Sequence, residues 1–438
     1  MDWQEEYKSK LVTAAEAVSI IKSGDRVVFP LDLSGTPAAC GEALAVRLDE
    51  LKDVEIHNWF TLHAFPWFQP GWEGSFKVTA LPILNNVMRQ MVDEKRADYS
   101  PLMLSLYRKA EDEGRPGIRG TDVCITVVSP PDRHGFCSFG GNMWCKKWYV
   151  ENAKKVIAEV DSTQPRTFGA NFIHVSQIDY LVENTTTKMY LPLEPQEYMK
   201  TIGEYVSSLV RDGDTIAIGG GQIGFTLAGL GVFDDRHDLG YHSENLMLGI
   251  VRLVKEGVIT GKYKTIHPGK VVCNNFCTGD LEELNYVADN PMFELYAQEY
   301  VINIRTVAAH DNMVAMNSAL AVDFTGQISA ESNGYRMYSG SGGQPEFAIG
   351  AMLSKGGRSI SMLRSTTSDG KISRITPFLE PGTIVTVPRN FADYVVTEYG
   401  IASLLGKSQR ERARELIGIA HPDFRSELTE QARKLFWP

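Results

Sequence analysis

The sequence predicts an α/β protein made of two similar open domains with largely parallel sheets. Three observations predict it. A helix–glycine–aspartate–strand unit occurs twice, and short apolar β-branched runs alternate with helical patterns. The length of 438 residues also exceeds that of one ordinary domain.

The repeated unit opens each half. Residues 18–29 run from Val18 through Gly24 and Asp25 to Phe29, and residues 206–218 run from Val206 through Gly213 and Asp214 to Ile218. Each reads as an amphipathic helix, a glycine C-cap, an aspartate turn and a short β-branched strand. Thr13 and Glu16 give the first helix a capping-box start, each side chain placed to satisfy the other residue's backbone donor. A small-residue turn and another helix follow each strand: Gly35-Thr36-Pro37 before 40–48, and Gly219-Gly220-Gly221 before 223–230. Duplication of one α/β half is the economical reading. The irregular stretch 184–195, with Thr185, Thr186, Thr187, Pro192 and Pro195, carries the boundary, so the expected domains are 1–188 and 189–438.

The other segments keep the alternation. Val123–Val128, 156–160, Val271–Cys273, 359–363 and 383–387 read as buried parallel strands, and 244–255 and 409–419 as helices. Apolar residues make up 43% and charged residues 22%, which excludes a disordered chain. A net charge of −10 is a poor footprint for nucleic acid or an anionic membrane surface. No apolar run approaches the roughly 20 residues that cross a bilayer. Acidic residues stand near Met1 where a signal peptide needs a basic start, so the expected location is the cytoplasm. Cys40, Cys124, Cys137, Cys145, Cys273 and Cys277 match neither a disulfide framework nor a zinc spacing, and the histidines are scattered; no bound metal is expected.

Four motifs could carry chemistry. Gly219-Gly220-Gly221-Gln222-Ile223-Gly224 follows a strand, opens a helix and matches GxGxxG, the pattern that lets backbone N–H groups approach phosphate. The bland reading is a tight turn without a ligand. A dinucleotide site also needs an acid about 20 residues on, at the end of a second apolar strand. Glu244 has that spacing, but 238–243 reads as a poor strand. Ser243 is placed to N-cap a helix with Glu244 in its first turn, where a carboxylate simply suits the helix dipole. Ser339-Gly340-Ser341-Gly342-Gly343-Gln344 is either a flexible loop or a run of N–H groups aimed at an anion or oxyanion. Ser129-Pro130-Pro131-Asp132 ends a strand, where open α/β sheets place ligands. The aromatic stretch Trp59-Phe60 through Trp67-Phe68 reads as core or subunit interface, with an acyl pocket as the alternative.

In combination these motifs resemble a family. Ser129-Pro-Pro-Asp132 with Gly135, the glycine turn, Leu239-Gly-Tyr-His-Ser-Glu244, Ser339 to Gln344, Val395-Val-Thr-Glu-Tyr-Gly400 and Ala420-His-Pro-Asp-Phe424 resemble the acetyl-CoA hydrolase/transferase family. The branch they resemble is that of the 4-hydroxybutyrate and butyryl-CoA:acetate CoA-transferases, across nearly the whole chain. The resemblance implies two CoA-transferase-type domains and a homodimer or dimer of dimers. It implies coenzyme A as substrate with no permanently bound cofactor, and acyl-CoA and small carboxylates as reaction partners. Carried over by motif, Glu244 is the nucleophile and Gly219, Gly220, Gly221, Gln222 and Ile223 form the CoA-contacting turn. Gly342 and Gly343 supply backbone to CoA or the oxyanion hole, and Asn317 contacts the acyl group or CoA.

Three positions depart from the family pattern: Gly224 in place of proline, Asn245 in place of methionine, and no lysine shortly after 359–363, where Arg364 or Lys371 is the substitute. The implied chemistry is ping-pong transfer through a glutamyl-CoA thioester. Its rivals are hydrolysis of that thioester, a nicotinamide-dependent oxidoreductase and a ligand-binding protein without catalysis.

Overall fold

The computed structural model describes residues 2–32, 35–61, 63–81, 83–184, 194–276 and 280–438. They divide into two compact units, Met1–Leu191 with Cys273–Tyr300, and Pro192–Val272 with Val301–Pro438. The expected boundary at 188/189 lies outside the described residues, and a single cut there does not provide for the return of 273–300 to the first unit.

The first unit is built on strands β1 (Arg26–Phe29), β2 (Val54–Asn58), β3 (Phe76–Ala80), β4 (Ala97–Tyr99), β5 (Val123–Val128), β6 (Lys155–Val160) and β7 (Tyr180–Glu183). Their order is β7-β6-β5-β1-β2-β3-β4, and every pairing is parallel. The six residues of β5 are all buried, as a strand covered on both faces requires. Its aromatic stretch is core: Trp59, Phe65, Trp67 and Phe68 are buried, with the Phe65 and Trp67 rings stacked at 4.5 Å.

The second unit uses β8 (Thr215–Ile218), β9 (Gly240–His242), β10 (Val271–Cys273), β11 (Met313–Ser318), β12 (Arg358–Met362), β13 (Tyr394–Thr397) and β14 (Gly400–Ser403). Here the order is β14-β13-β12-β11-β8-β9-β10, parallel throughout except for the β13–β14 hairpin. The two sheets share one topology. The first strand lies inside the sheet, the next in sequence joins one side, and a later one (β5, β11) joins the other.

The duplicated turns match bond for bond. Lys22 N–H donates to the Asp25 carboxylate at 2.8 Å, and Arg211 N–H to that of Asp214 at 2.7 Å. Asp25 N–H returns a bond to Lys22 O at 3.1 Å, and Asp214 N–H to Arg211 O at 3.2 Å. Each aspartate carbonyl then starts the ladder to the following strand, accepting from Glu55 N–H at 2.9 Å and from Gly240 N–H at 2.8 Å. Both glycines adopt left-handed backbone, φ +80° at Gly24 and +77° at Gly213. They are turn residues, not helix C-caps, because the preceding helices already end at Val18 and Leu209.

The expected capping boxes form at Thr13–Glu16 and also at Ser408–Glu411, which opens Gln409–Gly418. One expected strand does not form. Residues 383–387 make only an isolated bridge, Ile328 with Val387; Thr383 N–H turns back to Glu380 O and Ile384 N–H donates to Ser332 Oγ. Pro381 and Pro388 flank the stretch and supply no N–H to extend a ladder.

Both turns need left-handed backbone that a Cβ disfavours by about 1–2 kcal/mol. Gly24→Ala and Gly213→Ala should each lower stability by about that amount, read as a downward shift of the denaturant midpoint. Unchanged midpoints would remove the conformational reason for glycine.

Candidate active site

The site stands at the C-terminal edge of the second unit's sheet, where β11, β8 and β9 end side by side. Open α/β sheets leave their ligand crevice here, because neighbouring connections depart to opposite faces. Ser243, directly after β9, grips the end of β8: its hydroxyl accepts from Ile218 N–H and donates to Ile218 O, both at 3.1 Å. On the other side Gly219 N–H donates to Met316 O at 2.7 Å. The glycine turn is therefore fixed from two strands.

Three of its glycines are required by the fold. A Cβ on Gly219 would lie 2.1 Å from Asn317 Oδ1, and one on Gly224 would lie 2.0 Å from Gly219 O. Gly221 has φ +103° and closes against Ser318 Oγ. Proline at 224 would meet the same obstacle. Gly220 differs: it is exposed, its φ is not left-handed, and the nearest atom to a Cβ is 3.6 Å away on Phe225. Nothing in the fold asks for glycine there.

Glu244 follows Ser243 and is 8% exposed. Its Oε2 accepts from Gly343 N–H at 3.0 Å and its Oε1 from Asn245 Nδ2 at 3.2 Å. Gly343 is the N-cap of the helix Gln344–Leu353, so the carboxylate sits at the positive end of that dipole. A Cβ on Gly343 would lie 2.4 Å from Glu244 Oε2 and 3.0 Å from Ile302 Cγ2, so the contact requires glycine. Burial pushes the Glu244 carboxyl up from its ordinary 4.5 to about 7, against the lowering effect of the Gly343 and Asn245 hydrogen bonds.

Two expectations are corrected here. Glu244 does not open a helix: 245–246 are extended, Gly249 has φ +89°, and the helix runs Ile250–Lys255. The apolar run after Glu244 suited either state, and Ser243 spends its N–H on Val272 O at 3.1 Å, which extends the sheet. The dipole acting on Glu244 belongs instead to a helix about a hundred residues later. Residues 238–243 also hold a strand, β9, so the absence of a second strand is no argument against a dinucleotide.

The remaining candidates divide. Asn317, at the end of β11, lies against Gly219, and Gly342, at φ +55°, precedes Gly343 with open space around it. Gln222 is exposed and Ile223 buried in the short helix Gln222–Thr226. Among the other glutamates, Glu331 accepts from Thr386 Oγ1 at 2.9 Å and Glu398 from both Ser365 N–H and Oγ; Glu346 is buried in Gln344–Leu353. Lys371 is 79% exposed beside Asp369, whereas Arg364 lies over Tyr198 with Cζ 5.2 Å from the ring centroid. Cys40, Cys124, Cys137, Cys145 and Cys273 are buried and unbridged; Cys277 is outside the described residues. Sequence reasoning noticed Asn245 only as a departure and did not single out Arg374, whose one signal is the Asp369-Gly370 turn between two cationic segments.

Family sequence models decide the relationship: the acetyl-CoA hydrolase/transferase N-terminal domain matches residues 1–192 and the C-terminal domain matches 279–432. The chain belongs to the acetyl-CoA hydrolase/transferase family. Within it, the chain is 43% identical over 437 residues to 4-hydroxybutyrate coenzyme A transferase of Clostridium kluyveri, covering 100% of both. It is 34% identical to butyryl-CoA:acetate CoA-transferase of Anaerostipes caccae, covering 99% of this chain and 98% of that one. The crystal structure of RipA from Yersinia pestis superposes with a TM-score of 0.91 at 32% identity, over 100% of both chains. Acetyl-CoA hydrolase of Yarrowia lipolytica is more distant, 27% identical over 70% of this chain.

Two outcomes follow from the geometry. If Glu244 acts as the nucleophile it must be ionised, and kcat/KM should then rise with pH through an apparent pKa of about 7. Asn245→Ala removes a bond to the ionised form and should move that limb to higher pH; an unmoved limb would deny Asn245 the role. Stability carries the opposite sign. A carboxyl raised above 4.5 favours the folded state fully below that value, and the favour is lost as pH rises through about 7. Glu244→Gln should therefore gain thermal stability over the parent at pH 8 more than at pH 5. Gly220→Val should leave the melting temperature near the parent's while raising KM for acyl-CoA about tenfold or more, because its Cβ meets no protein atom closely. A matching fall in both would assign Gly220 to folding.

Proposed function

We propose that this enzyme moves coenzyme A from a short-chain acyl-CoA, such as butyryl- or 4-hydroxybutyryl-CoA, to acetate or another small carboxylate, with Glu244 as the covalent carrier. The observation that carries the proposal is the buried Glu244 carboxylate bound to Gly343 N–H at 3.0 Å. A Glu244 oxygen attacks the thioester carbonyl, the C–S bond breaks, and CoA leaves as thiolate from an acyl-glutamyl anhydride. The thiolate attacks the glutamyl carbonyl carbon, the donor carboxylate departs, and glutamyl-CoA thioester remains. An acceptor carboxylate then runs both steps in reverse and restores Glu244. Each bond formed replaces one broken, and no net proton or electron is consumed.

The geometry suits the steps in which Glu244 is itself the electrophile. When thiolate or carboxylate attacks its carbon, the negative charge gathers on the oxygen that Gly343 N–H already faces. A preset donor needs no reorganisation, and loss of one such donor typically costs about 100- to 1,000-fold. Hydrolysis would need water to attack the same thioester. The full-length matches to transferases favour an acceptor carboxylate instead. The same resemblance supports a homodimer or dimer of dimers working without a permanently bound cofactor, and the acidic N-terminal residues favour the cytoplasm.

Enzyme incubated with acyl-CoA alone should retain CoA on the peptide containing Glu244, sensitive to borohydride and hydroxylamine, and initial rates should give parallel double-reciprocal lines. Glu244→Ala should abolish transfer, and Glu244→Asp should lose roughly 100-fold through a displacement of about 1 Å. An adduct on Glu331, Glu346 or Glu398, or transfer surviving in Glu244→Ala, would falsify the assignment. CoA release that is indifferent to added acetate would favour hydrolysis.

A further inference from the structure

Past the end of β12 the chain folds into a small hairpin. Thr366 bridges Ser373, and Arg374 N–H donates to Ser365 O at 2.8 Å. The hairpin carries two guanidinium groups to the neighbourhood of one tyrosine: Arg364 stacks over Tyr198 at 5.2 Å, and Arg374 acts electrostatically on the same phenol and on Arg364. Both arginines are partly buried. Burial holds the Arg374 guanidinium below its usual range, and the neighbouring Arg364 cation pushes the same way.

Glu398 is a carboxylate that acts electrostatically on Arg374 and Tyr198, while its own hydrogen bonds go to Ser365, at 2.7 Å from Oγ and 2.9 Å from N. Among the described residues neither guanidinium makes an ion pair or a hydrogen bond. Two neighbouring, partly buried guanidinium forks with no acceptor in hydrogen-bonding contact suit a further partner of negative charge.

Position says which anion. The pair follows β12, and β12, β11, β8 and β9 are consecutive in the sheet. Three strand spacings, about 14 Å in all, separate β12 from the strand of Glu244. That distance is of the order of an extended pantetheine arm, and the glycine turn after β8 lies between the two ends. A small acceptor carboxylate reacting at Glu244 could not reach so far.

We propose that Arg364 and Arg374 together seat a phosphate group of coenzyme A while its thioester lies at Glu244. This rests on the transfer reading above. It gives the site a cation pair in place of the missing lysine, both of whose members are far along the chain from the glycine turn.

The test compares acyl-CoA with acyl-pantetheine, which has the arm and the thioester but no phosphate. Arg364→Gln and Arg374→Gln should each reduce the kcat/KM preference for acyl-CoA over acyl-pantetheine about tenfold or more, through KM, and Arg374→Lys should restore part of it. Equal losses on both substrates would reduce the arginines to structural residues, and an unchanged preference would also overturn the proposal. Calorimetric titration of Glu244→Ala with CoA reads the subsite without catalysis. Adding either arginine substitution should weaken CoA binding about tenfold, and unchanged binding would refute the subsite even if transfer proved not to be the reaction. Conversely, wild-type protein that binds CoA through the pair but transfers neither thioester would overturn the transfer reading and leave the subsite standing.

Discussion

A single backbone N–H, that of Gly343, faces a buried carboxylate, and much of the second unit is arranged so that the two can meet. The contact leaves no room for a Cβ. It needs β9 to end where Ser243 can lock onto Ile218, and it needs the helix Gln344–Leu353 to begin where β9 ends. Burial alone would keep Glu244 protonated near neutral pH. The N–H and the Asn245 amide oppose burial, and the balance falls at about 7. A carboxyl poised there suits the nucleophile role proposed for Glu244, since it is partly ionised near neutral pH and poorly solvated.

The sheet supplies the frame for that balance. Parallel strands covered on both faces are stiff and dry along their length, and they open only at their ends, where the connections part. Ile218, Ser243 and Asn317 all lie at such ends. The chemistry-bearing groups therefore come from segments distant in sequence, yet each is held by ladder hydrogen bonds a residue or two away. The first unit repeats the topology and the Asp-anchored turn. After β1, however, it has Gly35-Thr36-Pro37 in place of three glycines, and no buried glutamate follows its second strand directly.

Charge is handled locally. A chain of net charge −10 is no general attractor of a polyanion, so attraction must come from particular places. The glycine turn offers backbone without side chains, and the hairpin after β12 offers two guanidinium groups that make no ion pair or hydrogen bond among the described residues. Lys371, the other cation in that hairpin, stays in solvent and contributes little to such a site.

Much of this was legible in the chain. The paired Gly-Asp turns, the capping boxes and the buried β-branched runs are local, since a few adjacent residues satisfy their own hydrogen bonds or bury their own faces. The two-unit α/β fold follows from them. The proposal of Glu244 as the carrier also started from the order of the motifs around it. Its setting was not legible. Whether the run after Glu244 is helix or strand depends on Val272, which takes the Ser243 N–H, and on the left-handed Gly249. Which helix faces the carboxylate depends on Gly343, and which arginine joins Arg364 depends on a hairpin closing at Gly370. Periodicity reports which residues seek burial and local bonding. The partner of a buried charge is chosen by strand register and helix placement, and those exist only once the chain has packed.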